Sequence, residues 1–355
     1  MTRILSSAEA VREALDLCME ADPRVIVLGL GVPDPKGVFG TTLGLREKYG
    51  PARVLDTPCS ENAMTGVGIG AAILGVRPVL VHQRLDFSLL AAEPIINQAA
   101  KWHFMFAGRM RVPLVIRLIV GRGWGQGPQH SQSLQALFAH VPGLKVVMPS
   151  TPSDAKGLLI SAIEDDNPVI FIEHRWLHSL KGPVPPGPYR VPIGQAAVLR
   201  EGIDLTVIAD SYLVPETLKA ADALAPDGVS LEVVDIRTLR PLDEETILSS
   251  ARKTGRVVVA ETGTRHGGFA AEILARISES AFSRLKCPPR RLTPPDAPTP
   301  ASPSLSEAYY PRAVDLVRLA LAMLEQEHLR SRMEERLSDN GVPRDVPDRT
   351  FAGPF

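Results

Sequence analysis

The sequence predicts two doubly wound α/β domains in tandem, and three observations carry that expectation. Short apolar runs such as Val25–Leu30 read as strands covered on both faces. Between such runs lie stretches with helical spacing, for example Val11, Leu15, Cys18 and Met19. Strands alternating with helices imply parallel sheets built from right-handed crossovers. A length of 355 residues gives two or three domains, at roughly 100–200 residues each.

The elements follow in order. Ser6 and Glu9 form a capping-box pair at the start of a helix over 7–21. The run Gly29–Gly44 is rich in Gly and Pro and reads as loop. Ser60 is placed to cap a helix beginning at Glu61, whose interior carries Gly66, Gly68 and Gly70. Each interior glycine costs ~1 kcal/mol relative to alanine, so something is expected to approach this helix closely. Glu61 also reads simply as a solvated first-turn carboxylate favoured by the helix dipole. A strand at Pro78–His82, one long helix over Phe87–Phe106 and a strand at Pro113–Ile119 come next. The glycine-rich loop 121–127 then leads into Gln129-His130-Ser131-Gln132. Lys145–Met148, Ser153–Glu164 and Pro168–Glu173 complete a first domain over residues 1–180. Residues 181–197, with Pro183, Pro185, Pro186, Pro188 and Pro192, read as an extended linker. A second βα series fills 198–324, from a strand at Leu205–Ala209 to a final helix at Pro311–Leu324. The charged, then Gly- and Pro-containing tail 325–355 has too few apolar residues for a core of its own. It is expected to be disordered or ordered against a partner.

Composition narrows the function classes. A net charge of −1 gives no overall attraction to nucleic acid or anionic membrane. No apolar run approaches the ~18–20 residues of a membrane span. Cys18, Cys59 and Cys287 are odd in number and widely separated, which fits reduced thiols and a cytoplasmic setting. The helix pattern begins almost at once, leaving no room for a signal peptide.

No motif decides the chemistry by itself. Loop 121–127 has neither the P-loop nor the dinucleotide glycine spacing. His130 and His266 each sit at a loop-to-helix junction, where histidines serve structure as readily as catalysis. Asp165-Asp166-Asn167 reads as a turn or as oxygens around a hard cation.

The segments in order do more. They are Asp56-Thr57-Pro58-Cys59-Ser60-Glu61, Gly66–Ala72 with Gly75-Val76-Arg77-Pro78, Asp86-Phe87-Ser88, and Ile96-Asn97-Gln98-Ala99-Ala100-Lys101. Gln129-His130-Ser131-Gln132, Asp235-Ile236-Arg237-Thr238-Leu239-Arg240-Pro241 and Gly267-Gly268-Phe269 continue the series. With them the chain resembles the β subunit of the thiamine diphosphate-dependent first component of 2-oxo acid dehydrogenase complexes, of the pyruvate, branched-chain and acetoin type. More broadly it is similar to transketolase-like enzymes, over about residues 3–324.

The resemblance implies a pyrimidine-binding domain followed by a transketolase C-terminal-like domain. It implies that Glu61 bonds the ring nitrogen of the cofactor's aminopyrimidine, that Phe87 packs on that ring, and that His130 moves protons beside the reacting carbon. Cys59 stands next to the cofactor and reads as packing. Asp165 and Asn167, with the carbonyl of Ala162, match a potassium site. The family's Gly-Asp-Gly diphosphate and magnesium motif is absent from this chain. The resemblance therefore implies an α subunit that holds magnesium and the diphosphate, in an α2β2 assembly, with a lipoyl acyltransferase as a further partner. The acid would be decarboxylated and the acyl unit passed to an acceptor such as a lipoyl group. Rival readings are a split transketolase-like transferase and a non-catalytic assembly subunit. Arg84, Asp86, Arg122 and Trp124 depart from the family pattern. They are expected to meet a substrate or acceptor more polar than pyruvate or to mark a different partner surface; alternatively Arg84 and Asp86 pair with each other or with the α chain.

Overall fold

Largely apolar strands form the inner layers, and the described residues build three sheets in all. The computed structural model describes residues 3–122, 125–338, 342–348 and 351. Its strands are β1 (Arg3–Ser6), β2 (Val25–Gly29), β3 (Val54–Leu55), β4 (Arg77–His82), β5 (Val115–Val120), β6 (Lys145–Val147) and β7 (Val169–His174). They continue with β8 (Lys181–Val184), β9 (Ala197–Arg200), β10 (Leu205–Ala209), β11 (Leu231–Asp235), β12 (Thr238–Arg240), β13 (Val257–Ala260) and β14 (Arg290–Leu292). The first large sheet runs β12-β6-β7-β5-β4-β2-β3, and the second runs β14-β13-β10-β11-β9. Both are parallel except at one edge: β12 lies antiparallel to β6, and β9 antiparallel to β11. All residues of β5 and β7 are buried, as strands covered by helices on both faces require. The expected α/β architecture holds in both halves.

Three features differ from the sequence reading. Lys181–Val184, expected as linker, pairs with β1, with Arg3 opposite Val184. A two-stranded ribbon has only edges, so Pro183 costs it no inner hydrogen bond. The long helix expected over 87–106 is instead a helical turn (Leu85–Ser88), a 3₁₀ turn (Leu89–Ala91), a π segment (Pro94–Ala99) and a helix (Ala100–Met105). Pro94 supplies no N–H to an i→i−4 ladder, so the winding changes around it. The described tail is not loose: Met333, on the helix Arg330–Arg336, is fully buried against the second domain. Arg332 and Arg336 of that helix both pair with Asp227.

The capping box at Ser6 forms as expected. Ser6 Oγ accepts from Glu9 N at 3.2 Å, and the Glu9 carboxylate accepts from Ser6 N at 2.7 Å. Strand order then fixes where a ligand can enter. From β2 the chain moves outward to β3, then returns to β4 on β2's other side and continues to β5. Loops leaving β2 and β4 thus diverge, which opens a crevice at their carboxyl ends. The same reversal occurs in the second sheet between β10 and β13.

Asp235 ends β11, wholly buried, accepting from Ser150 Oγ at 2.6 Å and from Arg237 N at 3.0 Å. Burial, with the nearby Asp154 carboxylate, pushes its pKa up to about 7. The folded state therefore favours the protonated form. That stability is present below the ordinary value of about 4 and is lost as pH rises through 7. Asp235→Asn should flatten the curve: its melting temperature should fall less between pH 5 and pH 8 than the wild type's in parallel thermal scans.

Candidate active site

The crevice beside β2 is laced by hydrogen bonds among the three strand ends. Asp56 Oδ1 accepts from Gly31 N at 2.9 Å and from Thr57 N at 3.0 Å. Gln83 Nε2 donates to the Leu30 carbonyl at 2.6 Å. Together these loops border a small open hollow lined by residues that include Leu30, Thr57, Glu61, Met64, Leu80, Val81, His82 and Phe87.

Glu61 opens the helix Glu61–Ile73 and is half-buried at the hollow's edge. Ser60 precedes it, but its hydroxyl makes no capping bond, contrary to expectation. Its ψ of 66° departs from the extended backbone usual at an N-cap. Opposite, His82 Nε2 lies 3.4 Å from Thr65 Oγ1 of the Glu61 helix. Burial holds the His82 imidazole at about 4, so it is neutral in this wall. Phe87 projects from the turn after β4, and its ring meets His130 edge to face at 5.2 Å. His130 is half-buried, with its N–H on the Gly127 carbonyl at 3.1 Å. The residues after it, Ser131 to Leu134, line a second hollow with Thr262, Thr299 and Tyr309 of the second half.

The fold thus brings Glu61 and Phe87 to one hollow and His130 to Phe87. It does not bring Cys59 there. Cys59 is exposed and does not line the hollow.

At the cation site expected over Ala162, Asp165 and Asn167, some oxygens have partners within the chain and one has none. Asp165 Oδ1 accepts from Asn167 N at 2.9 Å, and its other oxygen pairs with Lys145. Arg77 Nη1 donates to the carbonyls of Ile163 and Asp165, each at 3.0 Å. The Ala162 carbonyl accepts from Asp165 N at 3.3 Å. Asn167 Oδ1 is buried without a partner.

Arg84, Asp86 and Arg122 turn inward. All three are buried. Arg84 Nη1 donates to the Gly121 carbonyl at 2.7 Å, and its other arm bonds Gln126. Asp86 Oδ1 accepts from Gln132 Nε2 at 2.8 Å and from Gln132 N at 3.3 Å. Trp124 lies outside the described residues.

The family model of the transketolase pyrimidine binding domain matches residues 4–179, and that of the transketolase C-terminal domain matches residues 194–316. The β subunit of acetoin:2,6-dichlorophenolindophenol oxidoreductase of Cupriavidus necator is 44% identical over 330 residues, covering 90% of this chain and 97% of that one. This chain belongs to the transketolase-like β-subunit family. The β subunit of 2-oxoisovalerate dehydrogenase of Bacillus subtilis is 44% identical, covering 91% and 99% of the two chains. The mitochondrial pyruvate dehydrogenase E1 β-1 subunit of Arabidopsis thaliana is 43% identical, covering 87% and 86%. Among solved structures, a split gene transketolase described as an inactive β4 tetramer superposes with a TM-score of 0.73 at 24% identity. It covers 91% of this chain and 99% of that one, and shows the fold. The relatives favour the 2-oxo acid dehydrogenase reading over the split-transferase one.

In this family member, sequence reasoning missed how His130's loop is held. Gly121 directly follows β5 at a φ of +90°, and a Cβ there would lie 2.4 Å from the ring of His174. Burial drives His174 down to about 3, leaving it neutral, and its Nδ1 accepts from Trp176 N at 3.2 Å. The signal was a glycine directly after an apolar strand and before a catalytic candidate. Gly121→Ala should cost ~1–3 kcal/mol through overpacking and lower the melting temperature by several degrees in calorimetry.

Proposed function

We propose that this chain is the β component of a thiamine diphosphate-dependent 2-oxo acid dehydrogenase, active only with an α subunit. One observation carries this reading. A carboxylate (Glu61) and an aromatic ring (Phe87) face one hollow at the switch point, and His130 packs against that ring. The donor set suits an aminopyrimidine: one carboxylate at its rim, with apolar Met64, Leu80 and Val81 around it.

When bound, thiamine diphosphate supplies the carbon nucleophile and electron sink for loss of carbon dioxide. Glu61 holds and shares a proton at the pyrimidine nitrogen. Phe87 fixes the ring plane, and its edge-to-face contact fixes His130 in turn. His130 moves a proton at the substrate oxygen where negative charge develops. The acyl unit then passes to an acceptor such as a lipoyl disulfide.

The chain has no Gly-Asp-Gly sequence, so magnesium and the diphosphate belong to the α subunit. A bare surface supports that partner. The outward face of the Glu61 helix exposes Asn62, Ala63, Gly66, Val67 and Gly70, and a Cβ on Gly66 or Gly70 would meet nothing within 4 Å. Phe104 and Met105 add further exposed apolar surface, at 87% and 64%. Among the described residues no helix is long and apolar enough to cross a membrane. The three free cysteines suit a cytoplasmic setting for an α2β2 assembly.

Glu61→Ala and His130→Ala should each lower kcat of the co-expressed α and β chains by about 10²–10⁴-fold, with melting temperatures unchanged. An unaffected Glu61→Ala rate would leave an assembly role only. Titrating the isolated chain with thiamine diphosphate and magnesium in a calorimeter should give heats of dilution alone. Tight binding would remove the need for a partner.

A further inference from the structure

Arg122 lies two residues after β5, at the start of the segment that carries His130, and is only 1% exposed. Its Nη1 donates to the Pro300 carbonyl at 2.9 Å and to Ser306 Oγ. Its Nη2 donates to the Ala301 carbonyl at 2.6 Å and lies 2.9 Å from Oδ2 of Asp345. Its own carbonyl accepts from Trp176 Nε1 at 2.8 Å. Asp345 is the one carboxylate among these contacts, and it comes from the C-terminal tail.

The tail is docked by other means, so Asp345 is delivered rather than merely near. Arg344 donates to both carboxylate oxygens of Asp315, at 2.9 and 3.2 Å. The buried Arg312 guanidinium donates to the carbonyls of Val346 at 3.0 Å and Pro347 at 3.1 Å. Phe351 lies under the guanidinium of Arg175 at 5.0 Å. A buried guanidinium left without its counter-charge is strongly unfavourable. The conformation that buries Arg122 therefore depends on the tail being in place. The far end of the same segment is pinned separately, at Gln132, by Asp86. His130 sits between the two pins.

We propose that residues 342–348 form a strap whose Asp345, through Arg122, positions the segment bearing His130. Asp345 is a positioning residue: it touches neither of the two hollows and acts from the opposite domain. The proposal rests on the reading of His130 as the proton-moving residue.

The test uses full-length chains co-expressed with the α subunit, as wild type, Asp345→Ala, Asp345→Glu and a chain ended after Ser338. Hydrogen exchange is followed in peptides covering 126–132 and, as a control, 205–209. Asp345→Ala and the shortened chain should exchange several-fold faster at 126–132 and unchanged at 205–209, and Asp345→Glu should restore much of the protection. In the same complexes, Asp345→Ala should lower kcat several-fold while KM for the 2-oxo acid and affinity for thiamine diphosphate stay unchanged. Unaltered exchange at 126–132 overturns the strap. So does faster exchange with an unchanged kcat, or a loss of cofactor affinity and control-peptide protection together with kcat. The exchange result is read whether or not any 2-oxo acid is turned over. A wild-type complex that is inactive on every 2-oxo acid therefore fails the functional reading without deciding the tether.

Discussion

The reversal of strand order beside β2 is the constraint on which the rest of this molecule depends. A parallel sheet covered on both faces has no interior room for a ligand, and only diverging loops at a switch point leave any. Glu61, Phe87 and the neutral His82 all stand at strand ends that border this reversal. The second sheet has the same reversal and uses it differently. There Asp210 and Glu261, at the ends of β10 and β13, are buried together. Gln135 of the first half reaches both, with Nε2 3.1 Å from Glu261 and 3.5 Å from Asp210. Burial raises both carboxyls, and the Glu261 charge raises Asp210 further. Glu61 and Phe87 border the first crevice, and Gln135 bridges the halves at the second.

Guanidinium groups line the seam between the halves. Arg84, Arg122, Arg175 and Arg312 are all buried there. Burial, and for Arg84 the charge of Arg175, bring Arg84 and Arg175 down to about 10, which still leaves them charged at neutral pH. Phe39 lies between them, its ring 5.4 Å from Arg84 and 4.7 Å from Arg175. Planar cations stack on such rings at a lower desolvation cost than an ammonium would carry. The seam is accordingly polar and directional, and this suits a boundary that must hold one loop at one angle.

Much of this was legible because period and composition report burial. Val115–Val120 is apolar apart from Arg117, so its strand and its covered faces were plain. Arg117 itself was not explained, because its partner Glu173 lies far along the chain on β7. The same limit applies to Arg84 and Arg122. Charge beside a candidate site looks like substrate contact until the fold shows carbonyls and Asp345 at its end. Glu61, Phe87 and His130 were found by their order along a family-long resemblance, and spacing alone would not have joined them. Ser60 misled because cap preference is a composition signal, whereas the bond needs backbone angles that this turn lacks. The tail misled because charge predicts solvation, whereas here arginines pair with Asp227 and Asp315 on the chain's own surface.

β12 is residues 238–240, drawn from the far half to complete the edge of the first sheet beside β6. A ribosome releases β6 before β9, β10 and β11 have emerged. Until β12 arrives, the nascent first domain presents an unpaired strand edge, the kind of surface on which newly made chains stick to one another. The two halves therefore mature as one product of synthesis. Demand on chaperones should be greatest in the interval between translation of β6 and translation of β12.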